Sequence, residues 1–298
     1  MNLPDLAAAM RASLPPHEEL ERENIERIAA QRDALAAPGA FLVISLQDWL
    51  DKAVRGSGVM YVDAQAVASL PRSAWDHFEN PSPEQAEQIR EYLRAAQGAV
   101  AAEPAGSVML RWDFCSSLDL KSLMAEGLSE DVTQRQHAAT QVDLGDPRAF
   151  DIVFDYPRDT IEVFKRPWVR ARMVDGYPLE FRVFVRDNTI QGIASYYPQR
   201  PLPESADILD AVKSVRDQTL DLVQAMLHRE VYPWMLGYER AFKRGTINAS
   251  IDFLIHESGR AVFLEAGPAA GFGAHPCAFL DRKIEGVALA LGDGVELR

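Results

Sequence analysis

Apolar and polar residues alternate in two runs near the C-terminus, Ser250-Ile-Asp-Phe-Leu-Ile255 and Ala261-Val-Phe-Leu-Glu265. A period of two belongs to a half-buried strand, so the runs predict two strands. Between them, His256-Glu-Ser-Gly-Arg260 predicts a two-residue turn at Ser258-Gly259 and hence an antiparallel hairpin. That turn pairs Glu257 with Arg260 and, followed outward, sets Asp252 opposite Glu265. On this register Ile251, Phe253 and Ile255 line one face, while Leu254 and Phe263 share the other with the acids. A second hairpin is predicted upstream, from Leu179 to Val185 and from Thr189 to Tyr197, about the favoured turn Asp187-Asn188. Alternation there puts Leu179, Phe181, Val183 and Val185 on one face and Glu180, Arg182, Phe184 and Arg186 on the other.

Elsewhere the period lengthens. Ile208, Val212, Val215, Leu220, Val223 and Leu227 recur at helical spacing and predict a core-packed helix over 206–229. Ser82 as N-cap and Pro83 at the first position predict a helix running to about Ala96. Residues 4–37 read as helical, split at Pro15-Pro16. Beyond His17 the apolar points are sparse, which predicts a solvated surface helix. Short strands are predicted at 41–44, 59–62, 108–112, 150–154 and 160–169. A helix is predicted about Trp49 and Leu50, and mostly helix over 118–140. The Ala, Glu, Pro and Gly spacer at 99–106 predicts a domain boundary. It divides a helical arm with a small α/β unit, residues 1–105, from a second domain over 106–298. Hairpins dominate the second half, so the expected class is α+β, a sheet layered with helices, and not a doubly wound parallel sheet.

Composition is that of an ordinary globular chain, and 298 residues can bury a sizeable core. The net charge of −13 argues against nucleic acid or an anionic membrane as partner, since no global positive field attracts phosphates. No apolar run has membrane-spanning length, and Met1-Asn-Leu-Pro-Asp-Leu lacks the form of a signal peptide. Cys115 and Cys277 lack metal-ligand spacing and read as reduced thiols, so a cytoplasmic location is expected. Neither GxxxxGK[ST] nor GxGxxG occurs. The glycine-rich segment from Gly267 to Gly273 follows a strand but leads into no clear helix N-terminus, so it is weak as a phosphate loop. Ser116-Ser117 has no histidine placed to make a triad.

Chemistry enters with the charges on the strands. Two carboxylates directly opposite each other destabilise a sheet unless a cation lies between them. Hard cations prefer oxygen ligands, so Asp252 and Glu265 predict a magnesium site. A wet hairpin face with lysines or arginines nearby is the competing reading. Basic residues also occupy apolar strands: Arg111 at a strand end, Lys165 and Arg166 before Pro167 and Trp168, and Arg182 beside Glu180. Each alone reads as structural. Together with the two acids they predict a triphosphate held by magnesium and arginines. Edge backbone at Pro167 with apolar cover from Phe164 and Trp168 suits a purine base.

These residues resemble the ATP-grasp superfamily, whose C-terminal acids hold magnesium on ATP. The likeness is carried by Ile251-Asp-Phe-Leu-Ile255, Gly259 and Val262-Phe-Leu-Glu-Ala-Gly-Pro268. They resemble more narrowly the cell division cycle protein 123 family and its phage and bacterial relatives. Its Glu-Phe-Arg-x-Phe-Val hallmark stands as Glu180-Phe-Arg-Val-Phe-Val185, its basic-plus-Trp strand as Lys165-Arg-Pro-Trp168, and its early segment as Arg111-Trp and Ser116-Ser117-Leu-Asp119. The resemblance covers roughly 107–275. It implies two α+β subdomains clasping ATP and Mg2+, with an N-terminal α/β extension. Arg111, Phe164, Lys165, Arg166, Trp168, Glu180 and Arg182 would bind the nucleotide, Arg111 and Arg182 with catalytic roles, and Asp252 and Glu265 would bind the metal. It departs from the pattern at Gly267, where asparagine is usual, and at Arg111, where lysine is. The leading function is a ligase that activates a carboxylate of a peptide, protein or amino acid as an acyl phosphate for attack by an amine. The alternatives are a non-catalytic ATP-binding assembly module and a small-molecule kinase.

Overall fold

The computed structural model describes residues 17–37, 40–127, 132–197, 202, 205–227, 229–232, 246–268, 288–291 and 294–297. In chain order it contains α1 (His17–Leu35), β1 (Ala40–Leu42), α2 (Leu46–Lys52), β2 (Gln65–Pro71), α3 (Arg72–Trp75), α4 (Pro83–Ala101) and β3 (Val108–Trp112). Then come α5 (Leu118–Glu126), α6 (Val132–Thr140), α7 (Pro147–Asp155), β4 (Thr160–Pro167), β5 (Met173–Val174), β6 (Tyr177–Pro178), β7 (Glu180–Arg186) and β8 (Thr189–Ser195). The remainder is α8 (Ala206–Met226), β9 (Glu230–Tyr232), β10 (Ala249–Ile255), β11 (Ala261–Pro268), β12 (Ala288–Leu291) and β13 (Gly294–Leu297). The expected arm before His17, residues 269–273 of the glycine-rich segment and Cys277 lie outside the described residues.

Local chemistry sets the helix starts. Ser82 and Gln85 form a reciprocal capping box with Pro83 in the first turn, so α4 begins where the sequence predicts. Asp146 accepts hydrogen bonds from the Arg148 and Ala149 amides, and Pro147 follows it. This cap overrides the expected strand at 150–154, which is helix α7. A short apolar run cannot by its period tell strand from buried helix, and here the cap decides. Val153 points into the core, whereas Phe150 and Phe154 stay exposed.

Two antiparallel sheets organise the chain. One has the order β2-β4-β3 and the other β11-β10-β7-β8. The first packs Leu110, Trp112, Ile161 and Val163 against Tyr92 and Ala96 of α4 and Val153 of α7. The second packs Phe181, Val183, Ile251 and Phe253 against Ile208, Val212 and Val215 of α8. Trp49 of α2 joins this second core beside Phe41 and Phe263. Each such buried side chain contributes roughly 1.5–3 kcal/mol relative to its exposed state. β1 pairs in parallel with β9, and β2 pairs with β4 across residue 105. The mixed helices and antiparallel sheets make the class α+β, as expected.

Two strand expectations change. Residues 59–62 form no strand. They are a connector bonded to β11 by the Phe263 amide, which donates to the Met60 carbonyl at 2.8 Å. The strand lies later, at β2, whose half-exposed residues leave no clear alternation. The hairpin turn is also longer than predicted. The His256 amide donates to the Arg260 carbonyl and the Gly259 amide to the His256 carbonyl, so three residues form the loop. Gly259 closes it at φ +84°, a left-handed conformation natural to glycine. This shifts the register by one and sets Phe263 opposite Phe253, on the core face and away from the acids. A bulge between Asp252 and Phe253 then restores the pairing of Asp252 with Glu265. The second hairpin is as predicted: Asp187 and Asn188 have φ of 49° and 62°, the geometry of a type I′ turn.

Candidate functional site

The bulge in β11 builds the site. It turns the Glu265 side chain to the same side as Asp252 and exposes the Leu264 carbonyl to the other sheet. Arg166 of β4, 3 % exposed, donates from Nη1 to that carbonyl at 2.8 Å and from Nη2 to the Val62 carbonyl at 3.4 Å. Arg111 of β3, also buried, donates from Nη1 to Glu265 Oε2 at 2.5 Å and from Nε to the Trp112 carbonyl at 3.1 Å. The first sheet therefore reaches across to the second, Arg111 to an acid and Arg166 to a backbone carbonyl.

Asp252 is 1 % exposed, and its partner comes from the neighbouring strand. Arg182 is paired with it in register and makes a two-pronged contact, Nε to Oδ1 at 2.7 Å and Nη2 to Oδ2 at 2.6 Å. Such fork-to-carboxylate bonds are about twice as strong as neutral ones. Glu265 is served from the helix side as well. Lys121, in the first turns of α5, lies 3.3 Å from Oε1 and donates to the Tyr196 hydroxyl at 3.0 Å. Tyr196 carries the Arg182 guanidinium over its ring at 4.8 Å and the Lys121 ammonium at 5.1 Å.

The charges tune one another. Burial alone would raise Glu265, but Lys121, Arg111, Arg148 and Arg182 outweigh it and hold the carboxyl well below its usual range. Glu180 goes the other way. Its burial and the adjacent Asp252 push it up to about 8, and the Tyr197 hydroxyl donates to its Oε2 at 3.3 Å. Burial, with Arg111 alongside, lowers Arg166 to about 9. Four cations, Arg111, Lys121, Arg166 and Arg182, thus gather about Asp252 and Glu265. Such a gathering calls for an anion.

Beside this array is a cavity of about 100 Å³. Its apolar wall includes Met109, Leu120, Met124, Trp168 and Leu254, and its charged rim includes Arg111, Lys121, Arg166, Glu180 and Glu265. The space suits one flat ring, since pockets for whole ligands run to about 300 Å³ or more.

Of the residues expected from the sequence, the structure brings together Arg111, Arg166, Glu180, Arg182, Asp252 and Glu265, with Trp168 at the cavity edge. Arg135 lies over the Trp168 ring at 5.5 Å. Phe164 packs in the second core and does not line the cavity. Lys165 is on the opposite face of β4, bound to Glu103 at 2.6 Å. Ser117 is the N-cap of α5 and serves structure. Sequence reasoning missed Lys121, Tyr196 and Tyr197. A faint signal existed in Leu120, Lys121 and Met124, one apolar helix face interrupted by a lysine.

Neither acid has an oxygen without a cation partner. Among the described residues no group of three or more His, Cys, Asp or Glu side chains is placed to hold a metal. The donors are nevertheless hard, adjacent oxygens of the kind magnesium takes. The set fits a cation that arrives with an anion: phosphates can draw off the arginines and lysine, and the carboxylates are then freed for the metal.

No protein-family model matches this chain, and comparison with curated proteins gives no match. Solved structures do show similarity. Cdc123 from Schizosaccharomyces pombe is 14 % identical, with 76 % of this chain and 83 % of that chain covered and a TM-score of 0.41. D-cycloserine synthetase DcsG is 14 % identical over 80 % and 65 %, at 0.38. The D-alanine–D-alanine ligase from Bacillus anthracis, complexed with ATP, is 9 % identical over 76 % and 55 %, at 0.32. At these scores the likeness concerns backbone path, and function is argued from the site. No helix among the described residues is long and apolar enough to cross a membrane.

Proposed function

We propose that the chain binds ATP with magnesium between its two sheets and uses it to activate a carboxylate for attack by an amine. The observation that supports this most is the pairing of Asp252 with Glu265 under cations drawn from both sheets and α5. A protein with no ligand there would gain little from so many buried charges. Replacing a buried ion pair by apolar residues is often neutral or stabilising.

On this reading each residue has a task. Arg111, Lys121 and Arg182 exchange their carboxylates for phosphate oxygens and neutralise charge that builds on the transferred group. Asp252 and Glu265 hold magnesium, which would draw charge from the outer phosphates when bound. Met109, Leu120 and Trp168 cover the base. Glu180, on the cavity rim and protonated near neutral pH, adds no negative charge beside the phosphates.

A second reading, in which ATP is held but not turned over, is favoured by Gly267. It lies beside Glu265 in β11, where the motif usually supplies an asparagine, and it contributes no side-chain donor.

Calorimetry is the first test. Mg2+ alone should give no binding, because every carboxylate oxygen is engaged, whereas ATP with Mg2+ should bind. Absence of binding by ATP with Mg2+ would end both readings. Separation of labelled products then decides between them. ADP formed only when a carboxylate and an amine are present supports the ligase, stable ATP supports the binding module, and AMP as main product rejects the acyl phosphate.

A further inference from the structure

Tyr196 stands where the two ion pairs of the site meet. Its backbone amide donates to the Glu180 carbonyl at 2.9 Å, which extends the β7–β8 pairing one residue past Ser195. That fixes the ring beneath the sheet face that carries Arg182 and Glu180. Arg182 lies over the ring at 4.8 Å while its edge grips Asp252. Lys121 lies over the same ring at 5.1 Å, bonds its hydroxyl at 3.0 Å and faces Glu265 at 3.3 Å. Tyr196 thus supports the cation of each acid, Arg182 through its ring and Lys121 through its hydroxyl. Tyr197, its neighbour, reaches the cavity and the Glu180 carboxyl, while Tyr196 does not contribute to the cavity wall.

We infer, resting on the nucleotide reading above, that Tyr196 is a positioning residue that holds Arg182 and Lys121 aimed at the phosphate chain when these cations leave Asp252 and Glu265. A long cation released from its carboxylate would otherwise have many rotamers to search, and fixing it would cost affinity. The ring offers attraction from any direction above its face, so Arg182 can shift and stay bound to it. A hydrogen-bonding support would not permit that slide. The buried hydroxyl adds a directional hold on Lys121 alone. Tyr196 therefore acts through two other residues and need not touch the ligand.

The competing role is plain packing. Tyr196 also lies 5.1 Å from Tyr197 in a small cluster with Tyr177 and Met124. The two roles separate by ligand charge. The full chain, Tyr196→Leu and Tyr196→Phe are titrated with MgATP and with adenosine by calorimetry. Positioning predicts that Tyr196→Leu weakens MgATP by about tenfold or more, the size of a desolvated cation–π contact. Adenosine, which carries no phosphate, should bind it within about twofold of the unchanged chain, in line with a site whose base cover is intact. Tyr196→Phe keeps the ring and loses one hydrogen bond, so the ATP-to-adenosine ratio should fall by only about threefold. Equal weakening of both ligands, or no change in MgATP affinity, overturns the inference. If Tyr196→Leu does not fold, Tyr196→Phe decides alone, and an unchanged ratio overturns it. Failure of the unchanged chain to bind MgATP rejects the nucleotide reading and the inference with it. Normal binding by the unchanged chain with an unaffected Tyr196→Leu rejects only the inference.

Discussion

Among the described residues, two buried charge clusters differ in how their carboxylates are held. The first joins Asp48 and Asp113 to Arg158 and Tyr156. There the Asp48 carboxylate accepts from the Leu42 amide at 2.6 Å and from Arg158 at 2.8 Å. Asp113 accepts from the Gln47 amide at 2.8 Å and from the Tyr156 hydroxyl at 2.5 Å. The second cluster is the site between the sheets, where Arg182 holds Asp252 and Arg111 and Lys121 hold Glu265, side chain to side chain. Backbone amides cannot move without unfolding their element, so the first cluster is a fastening: it ties β1 and α2 to the first sheet. Arginine and lysine side chains can swing, so the second can trade partners. Burial of charge alone does not mark a site. What marks it is buried carboxylates held by side chains and not by backbone amides, next to open space.

Breaking each cluster should therefore give different losses. Asp48→Ala leaves Arg158 and Lys52 without their shared carboxylate and leaves the Leu42 amide unpaired. Removing one partner of a buried pair costs about 3–5 kcal/mol. Chemical denaturation should show this loss, while ATP affinity measured on the folded fraction should stay unchanged. A large affinity change would mean that the fastening is also part of the site.

Arg182→Ala also breaks a buried pair and should cost about 3–5 kcal/mol of stability, but unlike Asp48→Ala it should weaken ATP binding as well. A charge-assisted contact is worth about 1.5–3 kcal/mol, so ATP affinity should fall at least about tenfold. Arg182→Lys should recover little, because a point charge cannot reproduce the fork. If Arg182→Lys binds ATP like the unchanged chain, the two-pronged contact has no part in binding.

The residues behind this contrast were unequally legible. The Asp187-Asn188 hairpin and the alternation in β7 could be read directly, since turn chemistry and period are local. The opposition of Asp252 to Glu265 was reached although two steps differ. The turn has one residue more than predicted, and the bulge at Leu264 makes up the difference. A bulge leaves no mark on a period of two, and Arg166, which bonds the bulged carbonyl, lies nearly a hundred positions away. For the same reason Lys121 left only a faint mark and Tyr196 none. One is a lysine on a short helix and the other a tyrosine at a strand end, and only packing makes them neighbours. In α7, the Asp146-Pro147 start was written in the chain and outweighed the apolar run.

Glu180 offers a pH readout of the site. Its folded value is raised to about 8 from an ordinary carboxyl value near 4.5. Between those two pH values the folded state holds a proton that the unfolded state has released. Stability from this group is therefore fully present below about 4.5 and is lost as pH rises through about 8. The loss is at most about 5 kcal/mol by the usual conversion. Glu180→Gln stays neutral, so its melting temperature should match the unchanged chain near pH 5 and exceed it near pH 9. Parallel curves for the two proteins across this range would show that Glu180 ionises normally.

The smallest effect should come from Lys165, which the sequence motif groups with the nucleotide ligands. The alternation of β4 sends Arg166 into the cleft and Lys165 to the other face, where Glu103 at the end of the α4 region receives it at 2.6 Å. Both partners keep some contact with water, their side chains being 21 % and 32 % exposed. Such a pair is worth about 0–1 kcal/mol. Lys165→Ala should thus shift stability by less than that and leave ATP affinity unaltered, whereas Arg166→Ala, one residue on, should weaken ATP binding. The two neighbouring substitutions share a strand, a charge and a motif, and differ only in the face they occupy. If Lys165→Ala loses affinity as Arg166→Ala does, the phosphates do not lie between the sheets, and the contrast between swinging and fastened charges loses its functional meaning.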